Sequence, residues 1–216
     1  MAQVPTGTTF HIATVYGSVK PVTGISNATE GVVSCPTHDF VANDIVEQTS
    51  GWGRLNRRVF RVKSVVAGTS YVLEGVDTTN ASFFPAGGGA GSVRKITTFQ
   101  QITTVMNPTS NGGDPKKVQY KFIESDVEFS INDGFSATDY ALELDADSIG
   151  SAGYTALKNL TDVQTDTCLK MVSRSGATIY QPCTVALNEA VKLQDGQINR
   201  VSVSFSGNNR ITRYAA

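Results

Sequence analysis

Apolar and polar positions alternate in short runs along most of the chain, and the runs are broken by glycine, proline, asparagine and serine. That punctuation belongs to antiparallel sheet proteins. Phe10–Tyr16, Gly31–Cys35, Asp44–Gln48 and Arg58–Val66 read as strands, and Ala67-Gly68 turns the last of them into Ser70–Glu74 as a hairpin. Val93–Ile102 follows the glycine-rich run Ala86–Gly91, which reads as a flexible loop. The longest predicted strand is Lys117–Ile131, and Asn132-Asp133-Gly134-Phe135 is a strong turn signal after it. Thr138–Ala146 then alternates strictly. One segment has helical spacing: Ser151 as N-cap, then Ala152 to Thr161 with Tyr154, Leu157 and Leu160 on one side. Thr167–Ser173, Ala177–Asn188 and Gln197–Ser206 read as three final strands. Met1–Thr9 and Gly207–Ala216 show no core partner. The pattern predicts an all-β fold in one domain spanning residues 1–216. It is an antiparallel β-sandwich or barrel (10–206) flanked by one short α-helix, with an N-terminal arm (1–9), a C-terminal arm (207–216) and a long loop.

Composition narrows the function classes. The 216 residues carry 18 Lys+Arg against 19 Asp+Glu, a net charge of −1, which argues against a groove that grips phosphates. No apolar run approaches the roughly 20 residues of a membrane span, so no membrane insertion is expected. The N-terminal residues lack the features of a signal peptide. Cys35, Cys168 and Cys183 are few and widely spaced, and read as reduced thiols of a protein made in a cytoplasm.

Charge is unevenly placed. From Glu124 to Asp147 there are eight acids and no Lys or Arg. Alternation puts Glu124, Asp126 and Glu128 on one face of their predicted strand, and Asp139, Glu143 and Asp145 on one face of the next. A four-residue loop at Asn132–Phe135 would set Glu128 opposite Asp139 and Glu124 opposite Glu143. Acidic faces and apolar faces then coincide, although the like charges oppose one another. Such a patch reads as a solvated sheet face or as a surface that repels a polyanion. Alternating strand acids lack the tight oxygen loop of a calcium site. Arg54, Arg57, Arg58, Arg61 and Lys63 fall in a stretch without acids, read either as a solvated edge or as intersubunit partners for an acidic patch.

Little in the chain suggests catalysis. His38 and Cys35 form one Cys-x-x-His pair, short of the ligands zinc needs, and His38 reads as a loop histidine. The glycine run lacks the Lys-Ser/Thr of a phosphate loop. Glu124 and Glu143 invite comparison with a glycosidase couple, but a run of acids is a surface, not a pair. No catalytic residue, metal or cofactor is expected. Trp52 reads as a loop anchor.

Several blocks resemble the siphophage major tail tube protein family. They are Asp44-Ile45-Val46 with Trp52–Val62, Tyr71–Thr79, the acidic segment Ile123–Asp147, and Gly153–Leu157 opening the helix, and together they span about residues 10 to 206. The resemblance implies subunits that form hexameric rings stacked into a hollow virion tail tube, built in the host cytoplasm. Long hairpin strands would join into an inner barrel that conducts DNA without binding it. It implies tape-measure, terminator and distal tail proteins as partners. Glu124, Asp126, Glu128, Asp139, Glu143 and Asp145 would line the bore. Both arms and either Thr49–Asn56 or Thr79–Gly91 would bridge rings. The alternatives are another virion component, a capsid protein or tail terminator, and a carbohydrate-binding β-sandwich in which Trp52 or Tyr71 stacks on sugar.

Overall fold

The structure, a computed structural model, describes residues 6–216. Met1–Pro5, most of the expected N-terminal arm, lies outside the described residues, and Thr9 already begins the first strand.

In chain order the strands are β1 (Thr9–Tyr16), β2 (Lys20–Val22), β3 (Gly24–Ile25), β4 (Val32–Ser34), β5 (Ile45–Ser50), β6 (Arg58–Val66), β7 (Ser70–Leu73) and β8 (Gly91–Ile102). Then come β9 (Val105–Gly112), β10 (Pro115–Tyr120), β11 (Phe129–Phe135) and β12 (Thr138–Asp145). A 3-10 turn (Ala146–Gly150) and the helix α1 (Ala152–Val163) precede β13 (Thr167–Val172), β14 (Thr178–Lys192), β15 (Arg200–Gly207) and β16 (Thr212–Tyr214). The fold is all-β and antiparallel, with one short helix.

One large curled sheet runs β3-β4-β7-β6-β5-β8-β1-β13-β14-β15-β12-β9. Strand β8 joins its two halves. Its first residues pair with β5 (Ser92↔Thr49, Lys95↔Val46), and its later ones with β1 (Phe99↔Ala13, Ile102↔Phe10). Each half has its own apolar core. Trp52, Leu55, Phe60, Tyr71 and Leu73 fill the first. Ile12, Leu142, Leu157, Leu169 and Phe205 fill the second, beneath α1. Ala13, Ile96 and Tyr180 bridge them.

The helix forms where its capping residues allow. Ser151 Oγ accepts from Tyr154 N at 3.2 Å, and Gln164 ends the helix in the left-handed region at φ 52°. Tyr154 and Leu157 are buried. The β6–β7 hairpin turns at Gly68, φ +62°.

Two expectations are corrected. The C-terminal segment has a core partner: β16 pairs with β14 (Thr178↔Tyr214, Tyr180↔Thr212), and Tyr214 and Thr212 are buried. The Ala86–Gly91 run is anchored at its centre, where Gly89 is buried and Gly88 half-buried. Trp52 Nε1 donates to Pro85 O at 2.8 Å, and a Cβ on Gly88 would sit 2.9 Å from Trp52 Nε1. Gly88, Gly89 and Gly91 are glycine where the indole, Ile25 and the backbone of Thr49 pass too close for a side chain, while Gly87 takes a φ of +80° in open space.

Candidate assembly surfaces

Glu124, Asp126, Glu128, Asp139, Glu143 and Asp145 occupy two places, not one face. The expected hairpin does not form. Asn132–Phe135 is extended within β11, which pairs with β10 (Lys117↔Asn132, Tyr120↔Phe129). The chain therefore reverses earlier, at residues 121–128, and that loop carries Glu124, Asp126 and Glu128. Pairing overrode the Asp133-Gly134 turn signal, and Gly134 keeps a positive φ of 91° within the strand. The result avoids the like-charge oppositions: Asp139 faces Ser206 and Asn111, and Glu143 faces Ser202 and Met106.

Strand β12 behaves as its alternation predicts. Leu142 and Leu144 are buried and Tyr140 packs on the same core, while Asp139, Glu143 and Asp145 lie on the other face. Residues opposite one another share a face, so the register extends that surface across four strands. One row is Asn111, Asp139, Ser206, Thr184; the next is Thr109, Ala141, Ser204, Ala186; the third brings Glu143, Ser202 and Asn188 together. The surface is made of hydroxyls, amides, methyls and a few carboxylates. The serines were readable in Val201-Ser202-Val203-Ser204-Phe205-Ser206, whose strict alternation sets them apart from a buried apolar side.

The cations beside this face are engaged. Glu143 accepts from Asn107 Nδ2 and Arg200 Nη1, each at 2.8 Å, and from Lys192 Nζ at 3.1 Å. Those hydrogen bonds hold its carboxyl at about 2, well below the ordinary 4.5. A folded value below the unfolded one means the network's stabilisation is complete above about pH 4.5 and is lost as pH falls towards 2. Glu143→Gln is therefore expected to lower the melting temperature at pH 7 by about 1–3 °C, as an exposed network of this kind would. The gap from wild type should close on acidification; a gap independent of pH would show that the carboxylate's charge plays no part.

The basic cluster is largely used within the chain. Arg57 pairs with Asp166 at 2.8 Å, Arg61 with Glu74 through two bonds of 2.5 and 2.6 Å, and Lys63 with Glu30 at 2.6 Å. Arg54 lies 3.3 Å over the ring of Phe83. Arg58 donates to Arg54 O at 3.3 Å and Thr212 Oγ1 at 3.2 Å, and its Nε is buried without a partner among the described residues. Burial pulls the Arg58 guanidinium down to about 10.

β10 and β11 pair as a two-stranded sheet outside the large one. With β9 and β12 they form one long hairpin, kinked at Gly112 and Gly113, both at φ 79°. Every residue of β10 and β11 is exposed, including Phe129, Ile131 and Phe135. Tyr120 and Phe129 stack at 5.5 Å, and Phe122 closes the cluster.

The residues weighed for chemistry are occupied structurally. His38 Nε2 bonds Val66 O at 3.1 Å and Ser70 O at 3.0 Å, and Nδ1 accepts from Phe40 N at 3.2 Å. Trp52 and Tyr71 are buried, Tyr71 donating to Gln48 Oε1 at 2.7 Å, so neither offers a sugar platform.

These features are a bland sheet face and a hairpin that stands apart from the large sheet. A family profile described as phage tail tube protein, TTP, matches residues 50–216, and the chain belongs to that family. It is a structural protein of the virion tail. Among solved structures, a chain of the anti-feeding prophage (AFP) baseplate is similar at 9% identity and a TM-score of 0.37, covering 54% of this chain and 85% of its own. No curated protein matches the sequence.

Proposed function

We propose that the chain is the subunit of a tube of stacked hexameric rings, and that the open face of β9, β12, β15 and β14 lines the bore that conducts DNA. The observation that carries this is the face itself. It combines small hydroxyl and methyl groups with the carboxylates of Asp139, Glu143 and Asp145, and Lys192 and Arg200, its neighbouring cations, are held by Glu143. Among the described residues phosphates find no free cation on such a wall and slide past it. Glu124, Asp126 and Glu128 are reassigned from the bore to the hairpin tip.

Ring closure has edges to use. The large sheet ends on β9, whose outer side is unpaired among the described residues. Strand β14 outruns β13 after Cys183, and on that side Thr161 Oγ1 takes the N–H of Leu187. An edge strand left open invites pairing, and head-to-tail pairing of these two edges closes a ring. Pro108 withholds one N–H from β9, which restricts the register of the added strand.

Ser202→Lys, Ser204→Lys and Ser206→Lys together test the bore assignment. Tubes should still assemble, since the serines lie on an exposed face away from the core. Each lysine adds a phosphate contact, and infectivity should fall about tenfold or more. Undiminished infectivity from particles of normal morphology would overturn the assignment.

A further inference from the structure

Between the loop after β5, strand β6 and the C-terminal segment lies a cavity of about 200 Å³. Its apolar lining comes from Leu55, Phe60, Val76 and Phe84. Arg54, Arg58 and Arg210 also line it. Among the described residues no carboxylate comes within ion-pair distance of any of the three. Glu74 and Asp77 line it too, but Glu74 is held by Arg61, and Asp77 turns one oxygen to Thr79 N and Oγ1. Arg58 adds an orphan Nε–H. A largely buried guanidinium without an acid is costly, and it is the arrangement that a carboxylate from outside relieves.

The hairpin tip has the complementary chemistry. Ile123 is fully exposed at 104%, followed by Glu124, Asp126 and Glu128. The tip is held away from its own subunit's cavity. Arg210 lies 4.1 Å over the ring of Phe135, at the hairpin's root, so the cavity sits beside the root. The six-residue β10 carries the tip about 20 Å away from there.

We propose that this cavity is a socket for the hairpin tip of a second copy of this chain, with Ile123 seated on the apolar lining and Glu124 and Asp126 on the guanidiniums of Arg54, Arg58 and Arg210. The contact deepens the tube reading and rests on it. It is heterologous: each copy offers a tip at one end and a socket at the root of the same hairpin, so the contact repeats without closing and propagates from ring to ring. The charges set its register and its salt dependence.

The test is a charge swap in the full chain, read by pelleting and negative-stain imaging. Wild type should form tubes, and fewer of them near 1 M salt, where the screening length is about 3 Å. Glu124→Arg with Asp126→Arg should raise the concentration needed for tubes about tenfold or more, and so should Arg54→Glu with Arg210→Glu. All four residues are exposed, so the subunits should stay folded. The four changes together in one chain should restore tubes. A swap that fails to restore them, or a reversal that leaves tubes unaffected, overturns the socket while the tube reading stands. Wild type that never passes beyond a monomer overturns both. Independently, Ser125→Cys with Asp77→Cys should give an interchain disulfide ladder under oxidation, since the native cysteines are buried. An intrachain bond alone, or none in formed tubes, refutes the contact.

Discussion

Trp52→Ala is expected to destabilise the subunit by about 3–5 kcal/mol, a shift of roughly 10² to 10⁴ in the folding equilibrium. The indole is 2% exposed and sits at the centre of the first core, edge-on to Phe84 at 5.2 Å. Its removal takes one of two donors from the Pro85 carbonyl, which keeps the N–H of Gly88 at 3.1 Å, and opens a cavity beneath the glycine run. The glycines cannot fill that cavity: a Cβ on Gly51 would meet Gly88 O at 2.5 Å, so the two segments already touch through backbone. Urea unfolding followed by circular dichroism measures the change without needing the lost fluorophore. Trp52→Phe keeps most of the apolar volume and loses the N–H, and about 1 kcal/mol is expected. A loss below about 1 kcal/mol for the alanine variant would mean the loop is held by something other than the indole.

The same residue shows where sequence reading reached and where it stopped. Trp52 as an anchor was legible, because a lone tryptophan between glycines has few other uses. What it anchored was not: the Ala86–Gly91 run has no local feature that separates a packed glycine loop from a mobile one. The difference lies in an indole more than thirty residues away. Alternation likewise placed the faces of β12 correctly, since a sheet with one wet side imposes period two on any strand within it. It could not choose the partner of Lys117–Ile131. Asn132-Asp133-Gly134 favours a turn at short range, but Tyr120, Phe122 and Phe129 gain a shared cluster only if the reversal falls at 121–128. The aromatic cluster outweighed the local signal and divided the acids between a sheet face and a hairpin tip. Similarly, the basic run at Arg54–Lys63 was visible, while Glu30, Glu74 and Asp166, which hold three of its members, are distant in sequence. The cations left over after those pairings are the informative ones, and only the fold identifies them.

Removal of residues 210–216 is expected to cost the subunit about 3–5 kcal/mol, whereas a free arm would be lost at no cost. Tyr214 buries its ring against Tyr180 at 6.1 Å, and its hydroxyl accepts the N–H of Arg61 at 2.8 Å. The Arg61 guanidinium covers the other side of the ring at 4.4 Å. Truncation strips β16 from the edge of β14, uncovers apolar surface from the core that bridges the two halves of the sheet, and leaves the Arg61 amide unpaired. Tyr214→Ala should account for most of the loss and Tyr214→Phe for about 1 kcal/mol, both read as a shift in the urea midpoint with unchanged slope. The segment also carries Arg210, so truncation removes one wall of the socket. Arg210→Ala separates the two effects: it should hinder tube formation while leaving the melting temperature within about 2 °C of wild type. If truncation leaves stability intact, Tyr214 does not hold the seam in solution, and the segment becomes available as a bridge between rings.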